Sequence, residues 1–297
     1  MNRPTVGVIL VNWNGISHTL KCLHSLFTIN NKEVLAVLVV DNGSKDSTEI
    51  QRIQEAFPQV ETIVNKENHG YTGANNQGFL WAKKKGVDYI LVLNNDTTVT
   101  ENFLEVLLES IRDRTKLIVA PKTLVPDTDT VYNTGLCFSI WHGGSWNWNR
   151  NRRSEDYTDL YYPNYLSGCC WLMPLAALND VGSFDDRFFA YYEDTDFSWR
   201  AKKAGYQLMV NGKSVIYHRR YKMTPENYFR LFYLSRNLIY LLKRHGYPFF
   251  SILVAWLIFC LGWLKRKPHW SVAKTIFQGL FAAISDDSAL GAARGIN

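Results

Sequence analysis

Blocks of apolar residues alternate with amphipathic stretches along the first hundred positions. Continuous apolar runs predict strands that are buried on both faces, and apolar residues three and four positions apart predict helices. Strands are expected at 6–11, 34–40, 62–64 and 89–93, and helices at 17–27, 47–57 and 74–85. Buried strands separated by helices indicate an α/β fold in which a mostly parallel sheet is flanked by helices.

Short polar segments follow three of these strands, at 12–15, 41–44 and 94–96. Each is rich in Asn, Asp or Gly, which also form turns, and turn formation suffices to explain any one of them. Ligands of parallel sheets bind beyond the carboxyl ends of the strands, where all three segments would meet. Together the three segments therefore predict a binding crevice.

The pattern becomes irregular between positions 121 and 165, and glycines, aromatic residues and arginines cluster from 141 to 153. This composition predicts a loop or an irregular hairpin. Two interpretations stay open. The stretch is either an exposed insertion without a chemical role, or a flap that binds an acceptor through tryptophan rings and arginine side chains.

An acidic block at Glu193, Asp194 and Asp196 follows an aromatic run and opens a predicted helix that stops at Gly205. Acidic residues stabilise the first turn of a helix. Asp196 is also spaced to form an ion pair with Arg200, four positions later. A carboxylate beside an aromatic wall has a raised pKa, however, and a raised pKa suits a general base.

Composition narrows the classes of function. The net charge of +6 over 297 residues suits anionic substrates or lipid head groups, and is too small to indicate nucleic-acid binding. The five cysteines show neither metal-site spacing nor a disulfide framework, and the adjacent Cys169 and Cys170 are expected to be buried thiols in a reducing compartment. No secretory signal precedes the first strand pattern, so a cytoplasmic catalytic domain is expected.

Five motifs in order resemble family 2 glycosyltransferases, most closely the rhamnosyltransferase-like branch. They lie at 11–15, 40–44, 68–78, 93–96 and 184–206, and the pair Arg236-Asn237 follows in a later helix. The segment 69–78 fits neither a dinucleotide-binding motif nor a P-loop, which weighs against a dehydrogenase or an NTPase. The resemblance implies a GT-A fold. A catalytic domain is expected at 1–220, with a nucleotide-binding half at 1–100 and an acceptor half at 101–220, before a helical region at 221–297.

The resemblance also implies the residues of the site. Asp194 matches the catalytic base, with Glu193 as its neighbour. Asp96 and His218 match residues that hold a divalent cation, Mg²⁺ or Mn²⁺. The residues expected to bind the nucleotide sugar are Asn12 and Asn14 at the border of the nucleotide pocket, Asp41 at the nucleobase, Asn75 and Asn76 near the ribose or diphosphate, and Asn94 and Asn95 beside the metal motif.

One position departs from the family pattern. Asn94 stands where many relatives carry the first aspartate of the metal motif. An amide keeps an oxygen ligand but loses a charge, so a lower affinity for the cation is expected. His218 alone would be interpreted as a structural histidine at a strand end, and only the family match favours a site residue.

The implied reaction is an inverting transfer from a nucleotide sugar, with dTDP-rhamnose as the first candidate donor. The acceptor would be a glycan or a polyprenyl-linked saccharide in the synthesis of a cell-surface polysaccharide. Two alternatives stay open. A sugar nucleotidyltransferase on the same fold would need basic residues on the first loop, which has none before Lys21. A non-catalytic nucleotide-sugar-binding protein would not need Asp194.

Sixteen residues without a charge, 249–264, lie between basic clusters at 243–245 and 265–267. A spanning helix needs about 20 residues, and basic residues at both ends argue that both ends stay cytoplasmic. The pattern predicts a helix in peripheral or monotopic association with the inner face of the cell membrane, with Trp256, Trp263 and Trp270 at the interface. The alternative is a buried core helix or a dimer interface.

Overall fold

The computed structural model describes residues 4–29, 35–147, 151–219, 228–266 and 269–285. Its strands are β1 (Val6–Asn12), β2 (Leu35–Asp41), β3 (Glu61–Val64), β4 (Tyr89–Leu93), β5 (Thr97–Val99), β6 (Leu117–Leu124), β7 (Val131–Asn133), β8 (Cys137–Ser139), β9 (Gly144–Trp146), β10 (Leu160–Tyr161), β11 (Cys170–Pro174) and β12 (Gln207–His218). Its α-helices are α1 (Ile16–Leu26), α2 (Thr48–Ala56), α3 (Gly70–Lys85), α4 (Phe103–Ile111), α5 (Ala177–Asp180), α6 (Glu193–Lys203), α7 (Tyr228–Arg244), α8 (Phe249–Arg266) and α9 (Trp270–Ser285).

A single mixed sheet forms the centre of the fold, with the strand order β10-β12-β6-β11-β4-β1-β2-β3. Strands β3, β2, β1 and β4 are parallel to one another, as the sequence predicts, and β12 is parallel to β6. Strand β11 departs from the expected arrangement, because it lies between β4 and β6 and is antiparallel to both. A continuous apolar run indicates that a strand is buried on both faces of its sheet, but it does not indicate the direction of the strand.

Apolar side chains of the sheet pack against helices on both faces. On one face, Leu10 of β1 belongs to a buried cluster with Leu23 of α1. On the other face, Ile9 belongs to a cluster with Phe79 of α3 and Phe197 of α6. This second cluster fixes α6, and with it the acidic block at the start of α6, against the sheet.

Helix α3 begins at Gly70, four residues before the predicted start at 74. Gly70 has a φ of +73°, and a Cβ there would lie 2.5 Å from the carbonyl oxygen of Phe189. Only glycine satisfies both constraints, since other residues rarely adopt this backbone conformation and have a Cβ. The start of α3 therefore lies directly against the segment that precedes α6.

The irregular stretch after position 121 contains the predicted hairpin, formed by β8 and β9. At the turn of this hairpin, Gly143 has a φ of +67°, and a Cβ there would lie 2.7 Å from the backbone nitrogen of Phe259 in α8. The hairpin thus packs closely on the C-terminal helices. Trp148 and Arg150, which belong to the proposed acceptor flap, lie outside the described residues.

Helices α7, α8 and α9 pack on one another through Leu238, Ala255 and Ile276, one from each helix. Within the described ranges, no helix is long and apolar enough to cross a membrane. The expected boundary between residues 220 and 221 falls outside the described ranges, so the division into a catalytic domain and a helical region stays a prediction.

Candidate active site

The ends of β1 and β2 meet in the sheet, where Asn12 pairs with Asp41 in register. The Asn12 side chain is fully buried, and its amide nitrogen donates to Oδ1 of Asp41 at 2.8 Å and to Oε2 of Glu49 at 2.6 Å. Its amide oxygen accepts the hydroxyl proton of Thr19 at 2.6 Å. Asn12 therefore holds Asp41 in position, and its expected place at the border of a nucleotide pocket stays a prediction.

The loop after β2 closes onto the loop after β1. Ser44 donates its backbone N–H to Asp41, and its hydroxyl oxygen accepts the backbone N–H of Asn14 at 2.9 Å. Asn14 is exposed, has a φ of +50°, and accepts the backbone N–H of Lys45. At this junction Asn14 is exposed and Asp41 is buried, with 5% exposure.

Asn75 and Asn76 are engaged within the protein. The buried amide of Asn75 donates to the Tyr71 carbonyl in the preceding turn of α3 at 2.8 Å. Asn76 exchanges two hydrogen bonds with the backbone of Phe184 and donates to Asp186 at 2.7 Å. The structure gives both side chains a positioning role, tying α3 to itself and to the segment before α6. Their expected place near the ribose or diphosphate stays a prediction.

Asp96 and His218 lie side by side, with 3.2 Å between Oδ1 of Asp96 and Nε2 of His218. Strand β5 starts just after Asp96 and pairs antiparallel with the end of β12, which places His218 opposite Thr97. The ring of Tyr132 covers His218, with 5.4 Å between the ring centroids. Burial opposes ionisation of Asp96, but the neighbouring His218 outweighs burial and lowers the pKa of the carboxyl.

The Asp96–His218 pair carries two groups that are able to bind a cation. Nδ1 of His218 is buried and has no hydrogen-bond partner among the described residues, and Oδ1 of Asp96 is buried with His218 as its neighbour. Carboxylate oxygen and imidazole nitrogen both bind Mn²⁺, and carboxylate oxygen binds Mg²⁺. The described ranges contain no group of three or more His, Cys, Asp or Glu residues that could hold a metal ion, so the pair would supply only part of a cation's ligands.

Asn94 and Asn95 both contact neighbouring side chains. The side-chain oxygen of Asn94 lies 3.0 Å from the Tyr71 hydroxyl, and its nitrogen lies 3.5 Å from Nε2 of His218. The place of Asn94 beside the cation stays a prediction. Asn95 donates to the Thr19 hydroxyl at 2.9 Å and closes the gap between α1 and this loop.

Tyr71 and Gly168 are two site residues that the sequence did not reveal. The Tyr71 hydroxyl lies 2.7 Å from the carbonyl oxygen of Gly168, in addition to its contact with Asn94. The backbone N–H of Gly168 in turn donates to Oδ2 of Asp194 at 3.0 Å. A Cβ on Gly168 would lie 3.4 Å from Cβ of Asp194. The only signal in the sequence was a hydroxyl-bearing aromatic residue within the polar motif 68–78.

A backbone turn with unusual geometry presents the acidic block. Phe189, Tyr191 and Tyr192 have φ values of +63°, +69° and +69°, a region that costs L residues of this size about 1–3 kcal/mol each. The amide nitrogen of Asn237 in α7 lies 2.8–2.9 Å from the carbonyl oxygens of Phe188, Ala190 and Tyr191. The buried Asn237 therefore stabilises the turn from a helix far along the chain.

Glu193 and Asp194 share the first turn of α6 but differ in their surroundings. Asp194 is partly exposed, and it accepts N–H groups from Gly168 and Thr195 and the Thr195 hydroxyl. Glu193 is 6% exposed, and its Oε2 has no hydrogen-bond partner among the described residues. Burial raises the pKa of both carboxyls, and the charge of Asp194 raises the pKa of Glu193 further.

Hydrogen bonds distinguish the two carboxyls. Hydrogen bonds to a carboxylate favour its ionised form, so the donors on Gly168 and Thr195 favour ionisation of Asp194, whereas Oε2 of Glu193 has no such donor among the described residues. A carboxylate with a raised pKa is able to accept a proton from a hydroxyl group.

Asp196 forms the ion pair expected from its spacing, with 2.8 Å between Oδ2 and Nε of Arg200. Its other oxygen lies 2.8 Å from Nε of Arg244, the last residue of α7, and 2.9 Å from Nε2 of His245, the residue after it. The side chain is fully buried, and its partners outweigh burial and lower its pKa. Asp196 joins α6 to α7 and is not part of the crevice.

The sequence matches the family model described as Glycosyl transferase family 2 over residues 7–182. A relative, the N-acetylglucosaminyl-diphospho-decaprenol L-rhamnosyltransferase of Mycobacterium tuberculosis, is 28% identical over 293 residues, which cover 89% of this chain and 88% of the relative. The family match and this relative agree with the resemblance seen in the five motifs.

Two solved structures are similar in fold. The mannosyltransferase PcManGT from Pyrobaculum calidifontis, in complex with GDP-Man and Mn²⁺, has a TM-score of 0.62 at 14% identity and covers 97% of this chain and 89% of its own. GalNAc-T7 with UDP, GalNAc and Mn²⁺ has a TM-score of 0.64 at 16% identity, over 82% of this chain and 48% of that protein. At these identities the similarity shows the fold alone, and the fold is GT-A-like.

Proposed function

The chain belongs to glycosyl transferase family 2 and is a glycosyltransferase, and we propose that it is an inverting enzyme which transfers a sugar from a nucleotide-sugar donor to a lipid-linked saccharide. The observation that carries this proposal is a chain of contacts between two unlike groups. One group is Asp194, a carboxyl whose pKa is raised by burial, and the other is the Asp96–His218 pair. Gly168 donates to Asp194, the Tyr71 hydroxyl contacts both the Gly168 carbonyl and Asn94, and Asn94 lies 3.5 Å from His218.

In this proposal Asp194 is the general base. The acceptor hydroxyl gives its proton to Asp194, and the hydroxyl oxygen forms a bond to the anomeric carbon from the face opposite the leaving group. The bond between the anomeric carbon and the diphosphate oxygen breaks, and the nucleoside diphosphate leaves with that electron pair. One displacement inverts the anomeric configuration. A base in this position contributes about 10²–10⁴-fold to the rate.

The donor side of the crevice binds and orients the nucleotide sugar. In this proposal Asp41 and Asn14 contact the nucleoside, while Asn12 holds Asp41 and is itself held by Glu49. Asp96 and His218 would hold Mg²⁺ or Mn²⁺. When bound, such a cation supplies positive charge that stabilises the negative charge of the departing diphosphate.

The guanidinium of Arg230 adds a cationic group close to the acidic turn. It lies over the ring of Tyr191, 5.7 Å from the ring centroid, and its Nε has no hydrogen-bond partner in the part of the chain that the structure describes. Arginine pairs with phosphate oxygens through two parallel N–H groups. We therefore include Arg230 among the residues proposed to contact a diphosphate, of the donor or of the acceptor.

The choice of proposed substrates follows the relative from Mycobacterium tuberculosis. Its name specifies an L-rhamnosyl transfer and an acceptor in which a sugar is joined through a diphosphate to decaprenol. We accordingly propose dTDP-rhamnose as the first donor to test and a polyprenyl-linked saccharide, in the synthesis of a cell-surface polysaccharide, as the acceptor class. Because such an acceptor is anchored in a lipid bilayer, the proposed site of action is the cytoplasmic face of the cell membrane.

A single assay separates this proposal from its alternatives. The purified chain is incubated with dTDP-rhamnose and other nucleotide sugars, with Mg²⁺, Mn²⁺ or EDTA, and with or without a polyprenyl-diphosphate-linked N-acetylglucosamine. We expect release of a nucleoside diphosphate that depends on the acceptor. Release of pyrophosphate from a nucleoside triphosphate and a sugar phosphate would instead indicate a nucleotidyltransferase. Thermal stabilisation by a nucleotide sugar without turnover on any acceptor would indicate a binding protein.

A further inference from the structure

Helices α8 and α9 expose an unusual number of large apolar side chains. On α8 those from Phe250 to Leu261 recur at intervals of three or four residues, and on α9 the intervals are seven, four and three; both spacings describe one face of a helix. Phe249 and Leu261 are 80% and 67% exposed, and Trp270 is 78% exposed. The full set, named the α8–α9 face, is Phe249, Phe250, Leu253, Leu257 and Leu261 of α8 and Trp270, Phe277, Phe281 and Ile284 of α9.

The two stripes belong to one surface. Phe277 of α9, half of which is exposed, packs edge-on against Trp256 of α8 with 5.7 Å between the ring centroids. The opposite sides of both helices are buried, through Ala255 and Phe259 of α8 and Ile276 of α9. The α8–α9 face is therefore what remains after the helices have packed on α7, and contiguous apolar surface of this kind marks an interaction site.

The charge distribution shows which kind of partner suits this surface. Between residues 227 and 285 there are eight of the 33 Lys and Arg residues and none of the 27 Asp and Glu residues, so this segment has a formal charge of +8 and the rest of the chain −2. Lys265 and Lys274 are exposed. Lys265 comes four residues after Leu261 and Lys274 four residues after Trp270, so each lysine lies one helical turn from an exposed apolar side chain. Two copies of this surface would place like charges against each other, whereas an anionic surface would neutralise them.

We propose that the α8–α9 face binds the surface of an anionic lipid bilayer, with both helices lying in the membrane plane. Apolar side chains would enter the boundary between head groups and acyl chains, while Lys265 and Lys274 contact lipid phosphates. The inference rests on the proposed function in that a lipid-linked acceptor requires the enzyme to work at a bilayer.

Contacts on the buried side of α8 connect the α8–α9 face to the proposed active site. The β8–β9 hairpin touches the α8 backbone at Phe259 through Gly143. On its other side, Phe138 of the hairpin packs edge-on against Tyr192, with 6.2 Å between the ring centroids, and Tyr192 directly precedes Glu193. A bilayer bound at the face would thus have a fixed position relative to the catalytic turn, as an acceptor that emerges from the bilayer requires.

Flotation with lipid vesicles tests the proposal on the full chain. Vesicles of phosphatidylcholine alone are compared with vesicles that also contain phosphatidylglycerol. We expect binding to the anionic vesicles that weakens with added salt. The double variant Leu257→Ser with Leu261→Ser should lose about tenfold or more in vesicle affinity. The double variant Lys265→Gln with Lys274→Gln should lose about fivefold for each lysine on anionic vesicles only.

Matched controls come from the catalytic part of the chain. Val64 and Leu80 are 62% and 60% exposed, so Val64→Ser with Leu80→Ser removes comparable apolar surface away from the α8–α9 face. Lys83→Gln with Lys84→Gln, both exposed on α3, is the control for charge. Both control variants should float with the vesicles like the unmodified chain.

The proposal is overturned if the unmodified chain does not float with anionic vesicles, or if the leucine variant floats as well as its control. It is also overturned if light scattering shows a dimer that the leucine variant disperses, because the face is then covered by a second copy. Sugar transfer to an acceptor with a short, water-soluble lipid chain should be equal in all variants. A chain that binds vesicles but transfers no sugar would refute the proposed function and leave the membrane surface intact.

Discussion

The two sides of the proposed active site are constructed in different ways. On the proposed donor side, Asp41 ends strand β2 and is held by Asn12 at the end of β1, and Asp96 comes shortly after β4. On the proposed acceptor side, Glu193 and Asp194 follow three residues with positive φ, and the carbonyl groups of that turn are held by Asn237 in α7. Strand ends are rigid because the sheet fixes them, whereas the turn depends on a distant helix.

This difference implies that substitutions on the two sides should impair different properties of the protein. A change on the donor side should weaken nucleotide binding and leave the fold intact. A change in the support of the turn should reduce stability and turnover together while nucleotide binding persists. The following expectations test that contrast, from the largest effect to the smallest.

The largest effect is expected from Asp194→Asn, which keeps the size of the side chain but removes its ability to accept a proton. Turnover should fall by about 10²-fold or more, with nearly unchanged affinity for the nucleotide sugar. Steady-state kinetics give the first quantity and titration with the donor the second. Turnover of the unmodified enzyme should also fall at low pH, and because burial raises the pKa of Asp194, this fall should begin at a higher pH than for an ordinary aspartate.

Two neighbouring variants control for this assignment. Glu193→Gln should lose less turnover, because Glu193 already carries a proton in the proposed state. Asp196→Asn should lower the stability of the protein more than its turnover, since Asp196 binds Arg200, Arg244 and His245. A large loss in Glu193→Gln with near-normal turnover in Asp194→Asn would reverse the roles of the two carboxyls.

On the donor side, Asp96→Asn should reduce the effect of Mn²⁺ on nucleoside-diphosphate binding by about tenfold or more. The reason is the loss of the only carboxylate beside His218 in the described part of the site. Isothermal titration with Mn²⁺ and with EDTA measures the difference. Equal binding in the two conditions for the unmodified chain would show that Asp96 and His218 hold no cation.

The support of the turn is tested by Asn237→Ala. Its buried amide lies within hydrogen-bond distance of three carbonyl groups, which would be left without this donor. We expect the free energy of unfolding to fall by about 2–3 kcal/mol, measured by denaturant titration. Turnover should fall as well, with donor affinity retained. Normal turnover in a destabilised variant would mean that the turn keeps its shape without Asn237.

Tyr71→Phe tests the connection between the two sides by removing one hydroxyl group. That hydroxyl contacts Asn94 and Gly168, and Gly168 donates to Asp194. We expect a loss of about fivefold in turnover, corresponding to one hydrogen bond of about 1 kcal/mol, and a changed pH profile as Asp194 shifts. Tyr206→Phe is the matched control, because its hydroxyl donates to Asp180 outside the crevice. Identical pH profiles in both variants would assign Tyr71 a packing role only.

The smallest effect concerns stability and pH in Glu193→Gln. The pKa of Glu193 is raised in the folded chain, so the folded state holds this proton more tightly than the unfolded state. The contribution of Glu193 to stability is therefore present at low pH and is lost as the pH rises through its folded pKa. Glu193→Gln removes that loss, so its melting temperature relative to the unmodified chain should increase with pH. A constant difference across pH would contradict the raised pKa.

Much of this arrangement was predictable from local pattern. The four parallel strands, the helices between them and the Asp196–Arg200 pair follow from spacing and apolar runs, whereas the sequence left the stretch after position 121 as a loop or a hairpin. Asp96 and His218 were expected at one site from the resemblance, and the structure places their side chains 3.2 Å apart. Their roles, like those of Asp194 and Glu193, stay predictions.

What the sequence alone determined is the class of fold, the position of the polar strand ends and the acidic block, because each is a property of residues close together along the chain. The tertiary structure decided which polar side chains form hydrogen bonds within the protein. Asn12 is buried, Asn76 and Asn94 contact other side chains, and Tyr71 lies against Asn94. An amide or a hydroxyl has the same appearance in a sequence whether it faces a ligand or a neighbouring backbone group, and only the packing of distant segments distinguishes the two.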